Sequence, residues 1–217
     1  GIINDGGTVK IMPSGTYPTK IEHAELAILS DGGFVKIRFA EFDHNYIGIT
    51  LANGNFDYSS STSSEGLFGI KFKCTDGVLS RGSFAGMPSL AHIQLENVTG
   101  VVIGSSGGTN GSYRNEFSDA TYGILSHNSS AVIKNNYFKD LVKDFNSCAD
   151  CGTGILVTNS TNSNRVVEIG GDGGHEKNTF TNVNKGIYAY NVCKDCSLFV
   201  SSNVFTNSDY IYTGFSN

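Results

Sequence analysis

Tryptophan is absent from this chain, proline occurs 3 times in 217 residues and methionine twice. Charge is also scarce: 15 basic and 20 acidic residues make up 16% of the chain. Each shortage excludes something. No apolar run approaches the ~18 residues of a membrane-crossing helix, so no membrane insertion is expected. Without a basic excess there is little electrostatic drive toward a phosphate backbone, so no nucleic-acid partner is expected. Leu, Ala, Glu and Lys are too sparse for a helical bundle. The chain is nevertheless 39% apolar and 11% aromatic, which is too much for a disordered segment. Gly (27 residues), Asn, Ser and Thr fill most of the remainder.

A repeat emerges when the Gly-Ile pairs are aligned. Gly48-Ile49, Gly123-Ile124, Gly154-Ile155 and Gly186-Ile187 each open a short apolar run, and Ala27-Ile28, His92-Ile93 and Tyr210-Ile211 fit the same slot. Five residues past the first position of the pair stands Asn53, Asn97, Asn128, Asn159 or Asn191. A second β-rich run follows, for example Val35-Lys36-Ile37 and Val101-Val102-Ile103, and Thr8-Val9-Lys10-Ile11 looks like the same run one circuit earlier. A third signature ends in Phe42, Phe117, Phe138, Phe180 or Phe205, usually as Asn-x-Phe. The bare period is 21 residues, as from Ala27 to Gly48 and from Asn115 to Asn136.

Three short period-2 strands per repeat, with like residues at like offsets, predict an all-β right-handed parallel β-helix of about seven to eight circuits. A sandwich would also offer many short strands, but it would not repeat identical residues at identical offsets. Circuits of such a coil stack ~4.8 Å apart, so the Phe and Ile columns form one continuous core. The Asn53, Asn97, Asn128, Asn159 and Asn191 column is expected at a corner, where Asn tolerates left-handed backbone and stacked side chains hydrogen-bond between circuits. That expectation buries the Asn97, Asn128 and Asn159 sequons and makes them accidental as glycosylation acceptors.

These repeats, of which Asn178-Thr179-Phe180-Thr181-Asn182-Val183-Asn184-Lys185-Gly186-Ile187 is typical, resemble those of right-handed parallel β-helix proteins. More narrowly, they are similar to repeat regions of large secreted proteins of Bacteroidota, the type IX secretion class. The resemblance covers roughly residues 7–215, best over 20–50 and 91–207. It implies an extracellular or cell-surface setting. Partners would be surface glycans, other surface proteins, or further β-helix turns of the parent chain. The sorting domain and signal peptide usual in such proteins are not recognisable here, so residues 1–217 are expected to be one β-helix domain within a longer coil.

Insertions are expected at 54–69, 75–90, 104–114, 143–153 and 170–177. Those at 104–114 and 170–177 occupy the same corner and flank a bare circuit, which predicts a shallow groove on a rigid scaffold. Asp119 and Asp140 follow the Phe by two residues in consecutive circuits. As stacked carboxylates they could share a proton, bind calcium or serve in glycoside chemistry; the bland alternative is two solvated corner residues, since His44, Asn182 and Asn207 share the slot. Arg114, Lys134, Asp172, His175 and Glu176 are candidates to line the groove, and His175 joins Asp119 and Asp140 as a candidate catalytic residue. The paired-Asp and Gly-His-Gly motifs of β-helical polygalacturonases are absent. Arg38, Arg81, Arg114 and Arg165 fall in no common column. Outward tyrosines (Tyr137, Tyr188, Tyr190, Tyr210, Tyr212) are either sugar-stacking platforms or cross-circuit packing. His92 and His127 are expected at the surface or a corner.

Two C-x-x-C units, Cys148/Cys151 and Cys193/Cys196, match a zinc spacing. The repeat register puts them at different corners, about 17–20 Å apart, which favours local Cys148–Cys151 and Cys193–Cys196 disulfides over a four-cysteine zinc site. Cys74 reads as a buried thiol. Apart from calcium at the Asp pair, no cofactor is expected. The sequence thus points to a non-enzymatic scaffold or adhesive, glycan-contacting segment of a secreted bacterial surface protein. The alternative is a polysaccharide lyase or glycoside hydrolase acting near Asp119 and Asp140.

Overall fold

The computed structural model describes residues 1–13, 18–56, 66–104, 113–142, 150–159, 164–173, 176–208 and 212–215. Their strands stack in parallel into three sheets of eight, seven and seven strands, with no helix among the described residues. Successive strands of the chain visit the three sheets in rotation, which is the topology of a right-handed parallel β-helix. Circuit 5 is the plainest: Ala120–His127 in the first sheet, Ala131–Ile133 in the second and Asn136–Lys139 in the third. Seven steps of ~4.8 Å between the eight strands of the first sheet give a rod about 34 Å long.

The register places like on like. Ile28, Ile49, Ile93, Ile124, Ile155 and Ile187 are successive partners in the first sheet, and Ile2 precedes them. In the third sheet the column runs Ile21, Phe42, Phe72, Phe117, Phe138, Phe180, Phe205. The Phe117 and Phe138 rings stack at 4.7 Å, and Phe138–Phe180 and Phe180–Phe205 both at 4.9 Å. Each buried ring contributes about 1.5–3 kcal/mol by leaving water, and none can move without opening a gap against two neighbours.

Two expected insertions shrink. Leu67–Phe68, inside the expected 54–69 loop, is the second-sheet strand of circuit 3, and Lys71–Lys73 is its third-sheet strand. Phe72 therefore belongs to the Phe column, although Gly66 and Gly69 hide the two-residue strand before it. The 75–90 excursion ends at residue 88, because Ser89 opens the eight-residue strand Ser89–Glu96.

The corners explain the asparagines, with a correction. Asn53, Asn97, Asn128 and Asn191 do have left-handed backbone, with φ of 46–54°. But Asn53, Asn97 and Asn191 are exposed, and the contact between Asn97 Nδ2 and Asn53 Oδ1 is a long 3.5 Å. Asn128 and Asn159 are buried. Asn53, Asn97 and Asn191 are therefore corner residues rather than members of a stacked internal ladder, and the Asn97 sequon is exposed. Buried Asn159 does bond between circuits, its Oδ1 accepting from the Ser129 amide at 3.2 Å. The ladder lies elsewhere, in the Asn of Asn-x-Phe. Asn115, Asn136 and Asn178 are fully buried. Asn115 Nδ2 donates to Asn136 Oδ1 (2.9 Å), Asn136 to Asn178 (2.9 Å) and Asn178 to Asn203 (3.0 Å). Each amide also donates to a second-sheet carbonyl of the preceding circuit: Leu67, Ile103, Ile133 and Ile169. Both amide donors of Asn115, Asn136 and Asn178 are used, which is what makes their burial tolerable.

A second correction concerns His92. In four other circuits, at Gly48, Gly123, Gly154 and Gly186, its slot is glycine because the Phe ring of the third sheet lies against it. A Cβ on Gly123 would stand 2.6 Å from the Phe138 ring, and one on Gly154 2.7 Å from Phe180. His92 is not at the surface: it is 2% exposed, with its ring 5.5 Å from that of Phe72. Its Nε2 pairs with the Ser118 carbonyl at 2.7 Å. Burial pushes its pKa down to about 4.

Candidate functional site

A shallow cavity lies beside the 170–177 insertion, on the second sheet, and its floor is built from residues that no motif singled out. Most of the 104–114 insertion, the other wall of the expected groove, lies outside the described residues. Val132, Glu168 and Phe199 are outward-facing partners in one row across three strands of the second sheet. Their neighbours Lys134, Gly170, Gly171, Asp172, Glu176 and Ser201 complete a shallow cavity of about 350 Å³. Outward strand positions read as ordinary solvent-facing alternation, and only the register reveals that residues 31 to 36 apart in sequence form one row. Phe199 is 58% exposed, an unusual state for a ring that size on a rigid sheet.

Three of the sequence candidates meet here. Lys134 Nζ lies 3.0 Å from Glu176 Oε1, tying the insertion to the bare corner of circuit 5. The other Glu176 oxygen accepts from the Gly173 amide at 3.1 Å, and the Asn135 amide donates to the Glu176 carbonyl at 3.2 Å. The Lys134 hydrogen bond and the Gly173 amide hold the Glu176 carboxyl below its usual range, so at neutral pH it is an acceptor and not a proton donor. Asp172 and Glu168 stand exposed at the rim and floor. The turn carrying Glu176 is local: its amide closes on the Gly173 carbonyl at 3.0 Å, and glycines at 170 and 171 let the backbone leave the sheet.

Arg114 is placed elsewhere. Its guanidinium lies 5.4 Å over the Tyr137 ring, on the outer face of the third sheet. Asp119 and Asp140 are farther still. Both turn the corner from the third sheet to the first, with φ of 60° and 49°, in the column shared by His23, His44, Asn182 and Asn207. They stand at the opposite end of the third-sheet strands from the cavity, a strand of four residues away. Asn182 Nδ2 donates to Asp140 Oδ1 at 2.7 Å, so the stack of corner side chains continues past the two carboxylates. His175 lies outside the described residues.

Cys193 and Cys196 form the expected disulfide. Cys151 is also oxidised; its expected partner, Cys148, lies outside the described residues. A zinc site of four cysteines would need the two thiols that this disulfide consumes. Cys74 is the free, fully buried thiol expected, and burial pushes its pKa up to about 11. Among the described residues no group of three or more His, Cys, Asp or Glu could hold a metal ion.

Of the outward tyrosines, Tyr137, Tyr188 and Tyr190 have partners of their own. Tyr188 and Tyr190 meet at 5.3 Å on the first sheet, and Lys185 Nζ sits 3.8 Å over Tyr188 while pairing with Asp150 at 2.8 Å. Tyr210 lies outside the described residues.

Another polar cluster sits at the far end of the rod. Buried Asp43 accepts from the Thr75 amide at 3.1 Å and faces His44 Nδ1 at 2.9 Å and Lys73 Nζ at 3.5 Å. Burial alone would raise its carboxyl, but these partners outweigh it and the net shift is downward. Together with the Tyr46–Phe84 stack at 3.8 Å, these contacts pin the 75–88 excursion to the coil.

Comparisons with known protein families, with curated proteins and with solved structures find no match to this chain.

Proposed function

We propose that this chain is a non-enzymatic scaffold and adhesive segment of a secreted bacterial surface protein, and that it contacts glycans through the cavity on its second sheet. The observation that carries the reading is Phe199: an aromatic ring 58% exposed on the floor of a concave, polar-rimmed site. Such a ring offers an apolar face to the C–H side of a pyranose, while the rim supplies groups that bond hydroxyls. The wall behind it is stiff, because the Ile, Phe and Asn columns are packed without interruption beneath it. The Cys193–Cys196 disulfide supports an extracellular setting. Glu176, paired and ionised, lacks the proton that a glycosidase acid must give to the leaving oxygen.

A broad glycan array, read with the intact protein and with Phe199→Ala, tests this. The expected result is binding to at least one glycan class that Phe199→Ala removes, with Asp119→Ala and Asp140→Ala unaffected. Release of reducing ends or unsaturated sugars that depends on Asp119 or Asp140 would replace the scaffold with an enzyme. An array with no bound glycan would end the adhesive reading.

A further inference from the structure

The charges of the cavity say which kind of sugar fits. Its lining holds three carboxylates, Glu168, Asp172 and Glu176, and one ammonium, Lys134. That ammonium is already taken by Glu176 at 3.0 Å. Glu168 and Asp172 have no ion-pair or hydrogen-bond partner among the described residues, and the lining is left with two negative charges in excess. Glu168 lies beside Phe199 in adjacent strands, as direct register partners. An exposed aromatic face beside a partnerless carboxylate is a poor place for a uronate or a sulfated sugar, which would meet like charge. It suits a ligand that carries a cation on an otherwise apolar ring face, because the ring quadrupole and the carboxylate both attract it.

We propose that the cavity selects pyranose units bearing a free amine, as in a de-N-acetylated hexosamine polymer, with the sugar face on Phe199 and the ammonium held by Glu168 and Asp172. Ser201 and the Gly170–Gly171 backbone lie where ring hydroxyls would be met. This assignment rests on the glycan-contacting reading above and narrows it to one substrate class. It also accounts for the Lys134–Glu176 pair. By neutralising one carboxylate and fixing the loop, the pair leaves two carboxylates to face the ligand instead of three.

The test is calorimetric titration of the whole chain with three probes: a glucosamine oligomer, the same oligomer N-acetylated, and a galacturonate oligomer. The glucosamine oligomer should bind about tenfold more tightly than the acetylated one, the size expected of one charge-assisted contact. Glu168→Gln and Asp172→Asn should each erode that preference while leaving the melting temperature unchanged, since both side chains are exposed. Added salt should erode it too. Equal binding of the acetylated and free-amine probes, or tighter binding of the galacturonate, overturns the amine assignment and leaves glycan contact standing. Failure of all three probes together with an empty glycan array overturns both.

Discussion

Asparagine is spaced along this coil in two columns that share a residue type and a repeat, yet meet opposite surroundings. Asn53, Asn97 and Asn191 face water with left-handed backbone, turning the corner between the first and second sheets. Asn115, Asn136 and Asn178 are shut away at the corner between the second and third sheets. There each amide joins its neighbours above and below and a carbonyl of the preceding circuit. At Asn53, Asn97 and Asn191 the residue is chosen for its backbone and its side chain is incidental, while buried Asn159 of the same column uses its Oδ1 to accept from the Ser129 amide. At the second corner the side chain is what the corner is made of. The lesson is that repetition in a coil certifies a common environment without saying which property of the residue that environment uses.

Breaking the interior column should cost most. Asn178→Ala would strand the Asn136 amide nitrogen and the Ile133 carbonyl, both now served by the Asn178 side chain. Two orphaned buried groups cost about 3 kcal/mol or more, to be read as a lower urea midpoint at unchanged m-value.

His92 extends the contrast to pH, because it is the interior histidine while His23 and His127 are exposed at corners. Its pKa is near 4 when folded against 6.5 when free, so the native state binds fewer protons than the unfolded chain. Stability should therefore be complete above pH 6.5 and fall as pH drops toward 4, by about 3 kcal/mol in all. Asp43 is the charge that favours protonation most directly, so Asp43→Asn should steepen the loss. His92→Gly, which restores the residue of the neighbouring circuits, should remove this component of the acid sensitivity. A melting temperature followed from pH 7.5 to 4 in the unsubstituted protein and in both variants checks it.

The exposed members of the corner column should be nearly indifferent to side-chain chemistry and sensitive to backbone. Asn97→Gly should change stability by less than about 0.5 kcal/mol, whereas Asn97→Val should lose about 1–2 kcal/mol because a β-branched residue resists positive φ. Equal losses for the two variants would show that the Asn97 amide matters after all.

Much of the coil could be read from sequence because glycine, isoleucine and phenylalanine each do one thing in it. Gly123 and Gly154 make room for Phe138 and Phe180, so a Gly-Ile pair and a Phe at fixed offsets announce the same contact twice. Asparagine does two things, and nothing in a spacing of five residues separates left-handed backbone from amide stacking. His92 was readable in principle: it stands in a column of small residues that can only be interior. Leu67–Phe68 was not, since two residues carry no alternation. The cavity was half legible. Lys134, Asp172 and Glu176 stood out in or near the 170–177 insertion, but Glu168 and Phe199 are ordinary outward positions until the register is known. Asp119 and Asp140 drew notice for their chemistry, and their positive φ gives a backbone reason for their place.

Exchange of the asparagine side-chain amide protons, followed by NMR, tests the two-column account most directly. The account predicts slow exchange at Asn115, Asn136 and Asn178, with solvent-like exchange at Asn53, Asn97 and Asn191. Rapid exchange at Asn136 and Asn178, or protection of Asn97 equal to theirs, would contradict it.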